Sequence, residues 1–158
     1  MAKKQTMYLE TSVISAYFDF WKRNPAQKRE TRLLWNVMPQ HFDVYISDIV
    51  MIEIDNTKHV EWKHQLQQLV RSIEKLTVTD EVQVLSQQYT SSNVIPQLKV
   101  NDALHLATAV VNNMDYLATW NFEHLSRPHQ KRKILEFNQA HELNTPIIIE
   151  PSELVKEL

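Results

Sequence analysis

Three carboxylates stand where an isolated negative charge is costly. Glu53 lies inside DIVMIEI, Asp102 opens the apolar stretch DALHLATAVV, and Glu10 closes the β-rich run TMYLE. An unpaired carboxylate in apolar surroundings is destabilising. Several carboxylates brought together repel one another and invite a divalent cation. Such hard oxygen donors suit Mg²⁺ or Mn²⁺ better than zinc. Asn121, in Thr119-Trp120-Asn121, is a fourth polar group in a similar position. Each of the four also has a purely structural use. Glu10 and Asp102 could favour helix N-termini through the dipole, Glu53 could face solvent, and Asn121 could cap a short helix.

Other chemistries are excluded by composition. The 158 residues include no cysteine and no glycine, where average usage would put glycine near ~7%. Phosphate-cradling loops and dinucleotide-binding turns need glycine, so none exists here. Without cysteine there are no disulfides, thiolate metal sites or cysteine nucleophiles. His59 and His64, like His124 and His129, are five apart, which does not place them on one helix face. His105, three residues past Asp102, reads as a buried hydrogen-bonding partner. Ser12 and Ser47 lack the glycine-flanked elbow of hydrolases.

The net charge of −2 argues against wholesale charge-driven nucleic-acid binding. Its distribution says more. Lys22, Arg23, Lys28, Arg29 and Arg32 oppose only Glu30 within residues 21–33, and Arg127, Lys131, Arg132 and Lys133 form a second basic run. Between them, residues 43–55 hold Asp43, Asp48, Glu53 and Asp55 without a base. Two basic segments flanking an acidic one would suit an anionic polymer lying over a metal-binding pocket. They are also what solvated helix faces look like. Trp35 and Trp120 read as core or interface, whereas Trp21, beside Lys22 and Arg23, is the candidate for RNA or partner contact. The longest apolar run, Ile49–Ile52, is too short for a membrane span or signal-peptide core, so a cytoplasmic protein is expected.

These residues need a scaffold. Short apolar runs alternate with helical patterns, the signature of βαβ units. Strands are expected at Thr6–Glu10, Asp43–Ser47, Leu76–Val78, Tyr116–Thr119 and Ile147–Ile149. Thr11 or Ser12 caps a helix to Phe20, and a second runs from Pro25 to Met38, ended by Pro39. Further helices are expected at Asp48–Ile54, Val60–Ile73, Asp80–Tyr89 (capped by Asp80), Val100–Asn112 and residues 127–142. The sum is a single three-layer α/β/α domain over residues 1–158, with a central parallel sheet of four to five strands. In such a sheet the ligand site lies beyond the carboxyl ends of the strands, where Glu10, Glu53, Asp102 and Asn121 would converge. Without glycine, left-handed turn positions fall to asparagine, and Asn112 or Asn113 is expected at positive φ.

YLETSVIS, SDIVMIEI, NDALHLATAV and MDYLATWNFEHL, in that order across residues 7–125, resemble the four motif regions of PIN-domain nucleases, the group that includes VapC-type toxins. The resemblance implies a PIN-like fold and a Mg²⁺- or Mn²⁺-dependent ribonuclease, often a homodimer, restrained by an antitoxin in toxin–antitoxin members. By motif position the acidic site is Glu10, Glu53 and Asp102 as metal ligands, with Asn121 at the fourth place. Thr11 and Ser12 would support the first carboxylate or contact phosphate, and Trp21, Lys22 and Arg23 would contact substrate. Glutamate stands at the first place where aspartate is commoner, and asparagine at the fourth where many relatives have aspartate. A non-catalytic PIN-like module that binds RNA or protein is the alternative.

Overall fold

Successive side chains of a strand point to opposite faces of its sheet, and here both faces are apolar. In the computed structural model, which describes residues 3–158, Met7 and Leu9 of β1 (Gln5–Leu9) enter one core and Tyr8 enters the other. Leu117 and Ala118 of β4 (Tyr116–Ala118) divide the same way, as do Ile148 and Ile149 of β5 (Ile147–Ile149). With β2 (Phe42–Ser47) and β3 (Glu74–Leu76) they form a five-stranded, all-parallel sheet in the order β3-β2-β1-β4-β5. Burial on both faces is what parallel sheets require.

Five helices cover the Met7 face: α1 (Thr11–Phe18), α2 (Pro25–His41), α3 (Asp48–Asp55), α4 (Val60–Leu69) and α8 (Pro151–Glu157). The Tyr8 face is covered by α5 (Asp80–Ser91), α6 (Val100–Val111) and α7 (Pro128–Ala140). The fold is thus the three-layer α/β/α arrangement. Strand order reverses at β1, which has β2 on one side and β4 on the other. Leu9 pairs in register with Ala118, so the chain leaves both strands at one level. The crevice beyond that level is the switch point where ligands bind in such sheets.

Several boundaries differ from expectation for local reasons. α2 continues through Pro39 to His41; in the last turn a missing N–H forfeits only one helical bond. α4 stops at Leu69, where residues 70–73 turn on short-range bonds such as Ile73 N–H to the Val70 carbonyl at 3.0 Å. β3 lies at 74–76 rather than 76–78, and the Val78 N–H goes instead to Asp48 Oδ2 at 3.3 Å. Thr79, not Asp80, caps α5. Helix α8 was not expected; Pro151 suits its first turn and Leu154 is buried in the core against α2. Asn113 adopts φ 52°, as expected of the pair, while Asn112 stays at φ −88°. Asp19, Lys22, Asn93 and Glu142 also take left-handed backbone. Among the described residues, no helix is long and apolar enough to cross a membrane.

Candidate active site

Glu10 leaves β1 with its N–H on the Ala118 carbonyl at 3.1 Å. The next residues turn into α1, whose first N–H groups need acceptors. Glu10 is itself the cap: Oε2 accepts from the Ser12 N–H at 2.9 Å. That differs from the expected hydroxyl cap and frees both Thr11 and Ser12. Ser12 Oγ donates to Glu10 Oε1 at 2.6 Å, and Thr119 Oγ1 donates to the same oxygen at 2.6 Å. Both hydroxyls also accept: Ser12 from the Trp120 N–H at 2.8 Å, Thr119 from the Asn121 N–H at 2.9 Å. The carboxylate is buried, and no lysine or arginine among the described residues pairs with it.

Asn121 then starts a π-helical turn, Phe122–Ser126, its Oδ1 accepting the His124 N–H at 3.1 Å. That fixes the amide's orientation, because only the oxygen can accept. The Ser126 N–H reaches back to the Asn121 carbonyl at 3.0 Å, the wide π spacing, which recurs at functional sites. The turn brings His124 Nδ1 to 2.8 Å from Asp102 Oδ2, in the first turn of α6.

Glu53 sits on α3, and Thr11 Oγ1 donates to its Oε1 at 2.8 Å. His105 Nε2, one turn along α6 from Asp102, meets the same oxygen at 2.5 Å. His105 is buried, and its Nδ1 lies 2.6 Å from the Tyr8 hydroxyl, itself 2.7 Å from Ser47 Oγ. One proton assignment satisfies every member: Ser47 donates to Tyr8, Tyr8 to His105, and His105 to Glu53. Burial drives the Tyr8 phenol well above its usual range, so it remains protonated. For Glu53 burial alone would raise the carboxyl. The hydrogen bonds from His105 and Thr11 outweigh it and hold the group below its usual value.

The four residues singled out in sequence are therefore linked in a ring at the switch point. Glu10 connects through Thr119 to Asn121, Asn121 through His124 to Asp102, and Asp102 along α6 to His105 and Glu53. Thr11, the neighbour of Glu10, closes it. No local pattern marks Thr119 or His124 for these roles. A tyrosine alternating with Met7 and Leu9 is a usable signal, since a buried phenol needs a partner. Among the described residues, no three His, Asp or Glu side chains gather closely enough to hold a metal ion between them.

The other candidates lie to one side. Trp21 and Arg23, with Ser12 and Trp120, line a cleft of about 510 Å³; Lys22 is exposed but does not line it. Trp35 and Trp120 pack on the core of the Met7 face, and Trp120 Nε1 donates to Thr31 at 2.9 Å. In the second basic run, Lys131 and Lys133 are tied to the carbonyls of Ile148 and Asn93.

The fold and this ring define a class. The sequence matches the PIN domain family over residues 7–128, and the chain belongs to that family. Its structure is similar to VapBC-1 from nontypeable Haemophilus influenzae (TM-score 0.61, 12% identity, covering 94% of this chain and 99% of that one). It is also similar to VapBC2 from Rickettsia felis, solved with a promoter DNA fragment (TM-score 0.59, 12% identity, 92% and 98% covered). A third similar structure is VapC20 of Mycobacterium tuberculosis, described as a Sarcin-Ricin loop cleaving toxin (TM-score 0.56, 15% identity, 75% and 92% covered). No curated protein sequence matches the chain.

Proposed function

We propose that this protein is a divalent-metal-dependent ribonuclease whose site is the ring of Glu10, Glu53, Asp102 and Asn121. The observation that carries the proposal is three carboxylates without a lysine or arginine partner, tied together at the switch point of a PIN domain. The donor set suits a hard cation. His105 and Thr11 both engage Oε1 of Glu53, and His124 engages Oδ2 of Asp102. The second oxygen of each is left for other work. With no three-ligand cage, the residues fit an ion held by one or two carboxylates, water and substrate phosphate, as Mg²⁺ commonly is.

Glu53 and Asp102 would hold Mg²⁺ or Mn²⁺, and Glu10 would add negative potential from its buried position. A bound divalent ion supplies Lewis acidity and a lowered pKa for its water. Asn121, its Oδ1 committed to His124, offers Nδ2 to a phosphate oxygen. His105 and Thr11 keep Glu53 ionised and oriented, and Ser12 and Thr119 fix the orientation of Glu10. The partners that the family suggests are an RNA substrate, an antitoxin and a second copy of the chain. Structural neighbours solved as toxin–antitoxin complexes support the antitoxin, and a short reading frame beside this one would strengthen it.

Purified protein incubated with structured RNAs and Mg²⁺ or Mn²⁺ tests the assignment. Cleavage should fall by about 10²-fold or more in Asp102→Asn and Glu53→Gln and stop in EDTA. Equal cleavage by the parent and Asp102→Asn would overturn it. Asn121 at the fourth place favours a second reading, a non-catalytic RNA- or protein-binding module. Binding without cleavage under every metal would establish that reading instead.

A further inference from the structure

Trp21 is 68% exposed, although an aromatic side chain this large usually finds cover. It is nevertheless held firmly. Asp19 and Lys22 take φ 47° and 53°, and the Lys22 N–H donates to the Asp19 carbonyl at 2.8 Å. The Asp19 carboxylate accepts the N–H groups of Arg23 and Asn24 at 3.1 and 2.9 Å. Behind the turn, Trp62 is stacked with Phe20 (4.8 Å between centroids, 4° between planes) and with His59 (4.4 Å, 14°). Trp21 meets Trp62 nearly edge-on, at 5.0 Å and 87°. The Arg23 guanidinium lies 5.6 Å from the Trp21 centroid.

Asp19, Phe20, Trp21, Arg23 and Trp62 line the 510 Å³ cleft, a volume typical of small-ligand sites, about 300–1,000 Å³. Ser12 and Trp120, both half-buried, line it too, and Ser12 Oγ is hydrogen-bonded to Glu10. The cleft therefore runs from a solvent-facing indole and guanidinium to the first carboxylate of the ring. Ser15, Asn24, Gln27 and Thr57 add hydrogen-bonding groups to its wall. The surrounding segment is basic, with Lys22, Arg23 and Arg29 exposed.

We propose that this cleft is a subsite for one unpaired nucleobase of the RNA strand, stacked on Trp21, with its adjoining phosphate on Arg23. The proposal rests on the ribonuclease reading above and adds to it the side chains that hold a base near the scissile phosphate. Charge decides between occupants. An anionic strand matches the exposed Lys22, Arg23 and Arg29; the acid in the lining, Asp19, is committed to the N–H groups of Arg23 and Asn24, and every nucleobase offers a π-face to an indole flanked by a cation. The wall groups can meet the polar edges of a base.

Binding of a fluorescein-labelled single-stranded RNA to the Asp102→Asn protein, followed by anisotropy, reads the subsite without cleavage. Trp21→Ala should weaken binding about tenfold or more, Trp21→Phe should retain most of it, and Arg23→Ala should lower the salt slope by about one phosphate contact. Melting temperature controls for folding, which the exposed indole should not affect. An abasic residue walked along the RNA should weaken binding at one position for the parent but not for Trp21→Ala. Unchanged RNA affinity in Trp21→Ala overturns the proposal, including the case in which the same variant loses a polypeptide partner. So does a full abasic effect that persists at every position in Trp21→Ala. If the parent cleaves RNA and Trp21→Ala cleaves it with unchanged KM, only the subsite fails. Binding that depends on Trp21 without any cleavage leaves the subsite and removes the nuclease assignment.

Discussion

Glu10 is 5% exposed beneath an N–H and two hydroxyls, whereas the Glu53 side chain, 30% exposed, lies against the edge of a histidine. Both are glutamates in the ring that hydrogen bonds and short stretches of backbone close, yet different parts of the molecule depend on them. The donors to Glu10 come from α1 and from the residue after β4, so its carboxylate joins two elements across the switch point. The donors to Glu53 are Thr11 and His105, and behind His105 stand Tyr8 and Ser47 in the core. A carboxylate solvated by neutral dipoles serves the fold as much as the site. One at the edge of solvent, held by a buried imidazole and a hydroxyl, serves mainly the site.

The largest effect should come from removing Glu10. Glu10→Ala leaves the Ser12 N–H, the half-buried Ser12 hydroxyl and the buried Thr119 hydroxyl short of an acceptor, and should destabilise the fold by about 3 kcal/mol. For a chain of this length that is a melting temperature lower by roughly 6–12 °C. Glu53→Ala should cost about 1 kcal/mol, because water reaches the vacated place. Thermal melts of both in EDTA make the comparison, and equal losses would break it. Next in size is His105→Ala. A buried ring is lost and the Tyr8 hydroxyl keeps only Ser47, so about 2 kcal/mol is expected. Urea titration should show a lower midpoint with an unchanged slope.

The half of the ring that sequence could show is the half that rests on residue type. Glu53 and Asp102 announce themselves because charge in an apolar run needs a reason, and Glu10 and Asn121 because they follow strands. The hydroxyl and imidazole supports were not legible. Thr119 and Glu10 meet across 109 positions, and no local periodicity encodes that contact. The cap of α1 shows the same limit. Thr11 and Ser12 both satisfy the local preference, but the long-range demand of the ring takes their hydroxyls and leaves the cap to Glu10. Layer order and the parallel sheet were readable from alternation. The π-helical turn after Asn121 was not, because its bonds span a spacing that sequence patterns do not mark.

Acid should separate the two carboxylates further. Glu53 titrates below its usual 4.5 in the folded protein. Its charge therefore contributes stability that is fully present above the unfolded value and lost as pH falls through the lowered one. In EDTA, the stability difference between the parent and Glu53→Gln should shrink as pH drops below about 4.5. A difference that stays constant down to the onset of global acid unfolding would mean that His105 and Thr11 do not favour the ionised form.

The finest test uses neighbouring hydroxyls. Thr11 serves Glu53 with one bond at 2.8 Å, while Ser12 serves Glu10 at 2.6 Å and also accepts the Trp120 N–H. Thr11→Val keeps shape and removes one hydrogen bond at a half-exposed carboxylate, so a loss of about 0.5–1 kcal/mol is expected. Ser12→Ala removes a donor from a buried charge and an acceptor from a backbone N–H, so about 1–2 kcal/mol is expected. The two also differ in acid. The Thr11→Val deficit should fade as Glu53 protonates, because its bond stabilises the ionised carboxylate, whereas the part of the Ser12→Ala deficit that belongs to the Trp120 N–H does not depend on protonation and should persist. A Ser12→Ala deficit that vanishes in acid would mean that the Trp120 contact contributes nothing, and the distinction between the two carboxylates would not survive.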